Sequence, residues 1–242
     1  MASSPSEREH LARLEVAAID PLGWIRAASN GTLLVTLDGD EADLAVYKPD
    51  QGERPLWDFP YGTLAKRETA AFALSDWLGW ELVPATVYRN GPLGLGSVQR
   101  FVPHDAERHY FVLVEEEAWA APLRRMAVFD LLANNADRKA SHVIEGADGL
   151  RGCDHGLCFH VEPKVRTVIW DFAGEPIPDA DRADVRRLVD ALDAPEGLAA
   201  TLAGLLAAEE VAALARRARA VLGMATLPDP PEDRRPYPWP FL

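Results

Sequence analysis

In the first hundred residues, apolar and polar positions alternate with a period near two in several short runs; helical spacing takes over between these runs and dominates afterwards. Residues 7–18 read as a short helix. Residues 23–37 read as two strands folded about Ser29-Asn30-Gly31-Thr32, since Asn-Gly between apolar runs is a strong hairpin signal. A third strand covers 42–48 and stops at Pro49, and a loop rich in Pro, Gly and Trp fills 52–62. Over 63–78 the residues Leu64, Ala71, Leu74 and Leu78 recur at helical spacing, with Gly79 as the stop. Further strands are predicted at 83–88 and 96–102. A mainly helical half follows, with a helix over 115–134, short strands at 142–144, 152–159 and 167–170, and Ala/Leu-rich helices over 181–193 and 195–222. Residues 228–242 are Pro-rich with few packing options and read as an extended tail.

These elements predict an α+β protein: a sheet lobe over residues 1–102, a helical lobe over 103–227 and a tail over 228–242. At 242 residues, with 48% hydrophobic and 26% charged residues, the chain is long enough and apolar enough to bury a core. Its 25 basic residues against 38 acidic ones leave a net charge of −13, which excludes a general nucleic-acid binder and disfavours anionic membranes. No signal peptide and no integral membrane segment is legible, and two cysteines, Cys153 and Cys158, fit a reducing compartment. The expected location is cytoplasmic. Only four lysines occur, at 48, 66, 139 and 164, so a lysine in an apolar context is conspicuous.

Five features carry chemistry. The Ser29-Asn30-Gly31-Thr32 turn offers backbone N–H groups to phosphate without an obstructing Cβ. Lys48 ends an otherwise apolar strand. Glu68 lies on the buried stripe of the helix over 63–78, where a carboxylate needs a cation, and Lys48 is the natural partner. Asp137 and His142 sit in a polar loop between an apolar helix and an apolar strand. Asp154 follows Asp137 by seventeen residues, and a hairpin turn at Asp148-Gly149 would fold the two carboxylates onto one face, where they could hold a metal on nucleotide phosphates.

The stretches Asp137-Arg138-Lys-Ala-Ser-His142 and Asp154-His155-Gly156-Leu157-Cys-Phe159, preceded by Val46-Tyr-Lys48-Pro49, resemble the catalytic and metal-binding loops of the phosphatidylinositol 3-/4-kinase-like family, most closely its type II 4-kinase branch and bacterial relatives. The resemblance spans residues 23–175 and implies a protein-kinase-like two-lobe fold and an ATP-dependent kinase using Mg²⁺ or Mn²⁺. It makes Lys48 the phosphate-binding lysine, Glu68 its partner, Asp137 with Arg138 the catalytic pair, and Asp154 with His142 the metal ligands. His142 stands where the family carries Asn. Gln99, Phe101 and Val102 would form the hinge that receives adenine. The acceptor is a hydroxyl, with a protein or small molecule favoured over a lipid because of the net charge. Two alternatives remain: a nucleotide-binding pseudokinase with a regulatory role, motivated by His142, and a zinc protein built on Cys153, His155, Cys158 and His160.

Overall fold

The computed structural model describes residues 7–25 and 30–242. Helix α1 (Glu7–Val16) leads into a five-stranded antiparallel sheet of β1 (Ile19–Trp24), β2 (Leu33–Leu37), β3 (Asp40–Pro49), β4 (Thr86–Gly91) and β5 (Gly94–Arg100), in the order β1-β2-β3-β5-β4. Helix α2 (Leu64–Leu78) is inserted between β3 and β4, as its apolar spacing predicts, and ends at Gly79 in the left-handed conformation that a residue without Cβ adopts at no cost. Along β3 the period of two sends Ala45 and Tyr47, both fully buried, into the core and leaves Val46 and Lys48 on the opposite face. Of the predicted turn at the β1–β2 hairpin, Ser29 lies outside the described residues.

The second half is helical, with α3 (Tyr110–Leu113), α4 (Glu117–Ala133), α5 (Asp179–Asp193), α6 (Leu198–Ala203) and α7 (Ala208–Gly223), plus a small hairpin of β6 (Val143–Gly146) and β7 (Gly149–Gly152). This is the α+β architecture expected, an antiparallel sheet followed by a helical part. Four local expectations are corrected. The helix predicted over 195–222 is broken into α6 and α7, because Ala207 adopts an extended conformation and Glu210 reaches back to its N–H (3.0 Å) while also binding Arg67 of α2 (2.5 Å). Residues 153–159 are a loop rather than a strand, with Asp154 and Phe159 at φ 58° and 66°. Thr167 forms only an isolated parallel bridge to Arg138. The Pro-rich stretch is packed rather than free: the carbonyl of Pro236 accepts from Thr167 N–H (3.0 Å), and that of Phe241 from Ala140 N–H (2.7 Å).

Candidate active site

Sheet and helical part enclose a cleft of about 470 Å³. Its lining brings together Asn30, Gly31, Thr32, Lys48, Glu68, Gln99, Phe101, Val102, Asp137, His142 and Asp154, which the sequence places as much as 124 positions apart. Val46 and Ile144 face the same space from the two halves.

Lys48 forms an ion pair with Glu68, which is 2% exposed, and a second with Asp154 Oδ1 at 2.9 Å. The other Glu68 oxygen accepts the His155 N–H (2.8 Å), so the α2 carboxylate ties the strand lysine to the loop carrying Asp154. Burial opposes the charge on Lys48, but Asp154 and Glu68 together outweigh it and hold the ammonium protonated well above its ordinary range. The same ammonium holds Asp154 well below the usual carboxylate range against the effect of burial.

The β6–β7 hairpin returns the chain as its Asp148-Gly149 turn predicts, and one ligand atom each from Asp137, His142 and Asp154 falls within 4.8 Å of the others. His142 Nδ1 bonds the Asp137 carbonyl (2.8 Å), and its Nε2 lies 3.4 Å from Asp154 Oδ2. Burial pushes the His142 imidazole down to about 4, despite Asp154, so it is neutral at physiological pH and free to donate a lone pair. Burial likewise raises Asp137 to about 6, only partly countered by Lys139 at 3.3 Å. Two carboxylates and a neutral imidazole at this spacing are a donor set suited to a divalent cation, with the nitrogen favouring a transition metal over Mg²⁺. Among the described residues this is the only such cluster, and the cysteines take no part in it.

The zinc reading is therefore corrected: Cys158 is fully buried, His155 is buried against Arg138 (2.8 Å), and His160 packs on Phe59. Arg138 also departs from its expected place. Its guanidinium is fully buried away from the cleft, paired with the equally buried Asp130 (2.9 Å), which also accepts from Asn135 (3.0 Å) and Thr167 (3.1 Å). Arg138 thus anchors the turn beneath Asp137. The hairpin amide of Gly31 is engaged as well, donating to Gly52 O (2.9 Å), and a Cβ on Gly52 would lie 2.8 Å from Gly31 O, so glycine is required for this close approach. Gln99 turns its amide into the sheet, onto Thr86 Oγ1 (2.8 Å), and the Val102 carbonyl takes His104 Nδ1 (2.8 Å).

Three residues at the site were not singled out from sequence as its members. Lys139, two positions past Asp137 and one of four lysines, pairs with it. Glu53 accepts the N–H groups of Gly62, Leu64 and Ala65 (2.7–3.2 Å) and so caps α2 from the loop over the cleft. Lys164 binds Asp58 (3.0 Å), pinning that loop to the helical half. Only the scarcity of lysine hinted at the first and third.

The sheet, the inserted helix and the intervening cleft define a protein-kinase-like fold, and solved structures agree. The chain is similar to the Golgi casein kinase with Mn and ADP bound (TM-score 0.56, 14% identity, 90% of this chain and 74% of that one). It is similar to the Helicobacter pylori proinflammatory kinase CtkA (0.54, 11%, 87% and 93%) and to hydra Fam20 with sugar (0.55, 17%, 92% and 90%). At these identities the likeness establishes the fold, and it points to no phosphatidylinositol kinase in particular. No family model matches the chain. It is 44% identical to Protein Rv2133c of Mycobacterium tuberculosis (strain ATCC 25618 / H37Rv) over 276 aligned residues, covering 99% of this chain and 98% of that one, and so belongs to the family of that protein.

Proposed function

We propose that the protein is a kinase-type phosphotransferase that moves the terminal phosphoryl group of ATP to a hydroxyl acceptor with the help of Mg²⁺ or Mn²⁺. The observation that carries the reading is the continuous chain Glu68–Lys48–Asp154–His142–Asp137 along one cleft. In this reading residues 1–102 and 103–227 are the two lobes, and the base enters between Val46 and Ile144 against Phe101 and Val102. Glu68 fixes Lys48, which neutralises phosphate oxygens. Asp154 and His142 would hold the cation, with Asp137 beside them. Such a cation would supply charge neutralisation to the phosphates and to the charge that develops during transfer.

Asp137 accepts the proton of the acceptor hydroxyl; a carboxylate raised to about 6 is a better base near neutrality than an ordinary one. Lys139 beside it stabilises the ionised form. Positioning and electrostatics then supply most of the rate enhancement, as phosphoryl transfer requires. The phosphatidylinositol 3-/4-kinase resemblance rests on the two loop motifs alone. With a net charge of −13, a protein or small-molecule acceptor is favoured over a lipid, and two free thiols fit action in the cytoplasm.

The test is incubation with ATP labelled in the terminal phosphate and either metal, with Asp154→Asn alongside. Label transfer or ADP release by the wild type and its loss in the variant is the expected result. Nucleotide binding without turnover would replace this reading by the regulatory pseudokinase, and absence of nucleotide binding would refute both.

A further inference from the structure

The Pro-rich stretch reaches the catalytic turn. It leaves the helical part at Leu227, whose N–H donates to Glu175 O (2.8 Å) and whose carbonyl accepts from Gly174 N–H (3.0 Å). At Pro236 the carbonyl accepts from Thr167 N–H (3.0 Å) and from Trp170 Nε1 (3.2 Å). Five residues on, the Phe241 carbonyl accepts from Ala140 N–H at 2.7 Å. Ala140 is fully buried and Thr167 is 3% exposed.

Of the two donors, Ala140 lies in the turn that carries the chemistry and Thr167 on the segment paired with it. Thr167 pairs with Arg138 in a parallel bridge, with Arg138 N–H on Arg166 O (3.0 Å) and Val168 N–H on Arg138 O (3.1 Å), and its hydroxyl shares Asp130 with Arg138. Ala140 opens the 3₁₀ turn to His142, between Asp137 and the imidazole. A buried N–H without an acceptor is costly, so each of these amides needs a carbonyl. Proline at 236, 238 and 240 removes every second donor from the passing segment and fixes φ, which makes it a preorganised acceptor of amides.

We infer that residues 236–241 are a strap that positions the catalytic turn: the carbonyls of Pro236 and Phe241 hold Thr167 and Ala140, and through them set Asp137 and His142 in the cleft. These are positioning residues, and the inference rests on the phosphotransfer reading for its effect on rate. Trp239, 72% exposed, sets its ring edge-on against Phe241 (centroids 5.8 Å apart).

The test compares the full chain with one shortened by residues 237–242, in three measurements. Amide hydrogen exchange over 138–143 should rise by about tenfold or more in the shortened chain. The turnover number should fall by about a hundredfold, the scale of a small misplacement at a reacting centre, with KM for ATP held within about twofold. A synthetic peptide of residues 234–242 added in trans should restore both. If the shortened chain does not fold, deletion of Tyr237 and Pro238 within the full chain keeps Pro236 on Thr167, pulls Phe241 off Ala140, and is read by the same measurements. Unchanged exchange over 138–143 overturns the strap, and so does a rate loss that the peptide does not rescue. A full chain that turns over no ATP refutes the phosphotransfer reading instead, while exchange still reports on the strap.

Discussion

Replacing Glu68 by Gln removes one charge from a nearly dry pair and leaves the shape intact. The Glu68 side chain is 3% exposed and serves Lys48 through one oxygen and the His155 N–H through the other. Removing one partner of a buried ion pair typically costs about 3–5 kcal/mol. Here Lys48 retains Asp154 at 2.9 Å, so its charge is not orphaned and the cost falls at the low end, about 3 kcal/mol. For a chain of this size that corresponds to a fall in Tm of about 6–12 °C. Activity should suffer more than stability, because the freed ammonium settles on Asp154, where it competes with the cation. The expected loss is about 10²- to 10³-fold in kcat, the scale for one misplaced electrostatic donor. Calorimetry and ATP turnover on Glu68→Gln, Lys48→Met and the double variant would measure it. The account requires a coupling of about 1 kcal/mol or more between the two sites. Additive effects, or a Glu68→Gln protein as stable as the wild type, would refute it.

Asp137 gives a prediction of opposite sign for stability. Its pKa is raised from 3.8 to about 6, so the folded state holds this proton more tightly than the unfolded one, and ionising it between those values costs the fold up to about 3 kcal/mol. Asp137→Asn should therefore raise the Tm of the metal-free protein at pH 7 while abolishing turnover; an unchanged or lower Tm would contradict this. His142, neutral down to about 4, should add no titration of its own above pH 5, and His142→Asn should shift metal preference from Mn²⁺ toward Mg²⁺; an unchanged ratio in ATP turnover would remove it from the ligand set. Asp130→Ala strands the buried Arg138 and should cost about 3–5 kcal/mol in denaturant unfolding, where a loss under 1 kcal/mol would show the pair to be dispensable.

The sequence was most readable where local and tertiary demands coincide. Leu64, Leu74 and Leu78 share one face of α2, Gly79 ends it, and Glu68 on that stripe implied a buried cation that proved to be Lys48. Asp148-Gly149 told where the chain turns back, hence why Asp137 and Asp154 meet. It was least readable where a distant partner decides. The Ala/Leu periodicity runs through 204–207, yet Glu210 in the first turn of α7 reaches back to cap Ala207 and out to serve Arg67. Residues 152–159 alternate like a strand, but Asp154 sits in a left-handed conformation that pairing would not allow. Arg138 stood in a catalytic motif, and although Asp130 lies only eight positions earlier, no local pattern announced that it would draw Arg138 into the core. The tail's prolines advertise missing donors, while the amides that need its carbonyls lie about a hundred residues or seventy residues earlier.

The central claim is that one cleft binds a nucleotide through Lys48 and a divalent cation through Asp154 and His142, beside Asp137. A crystal structure with Mn²⁺ and ADP, read by anomalous scattering at the manganese edge, tests it most directly. The account predicts manganese within coordinating distance of Asp154 and His142, with the ADP phosphates on Lys48 and the base between Val46 and Ile144. Manganese bound elsewhere, or ADP outside this cleft, would contradict it.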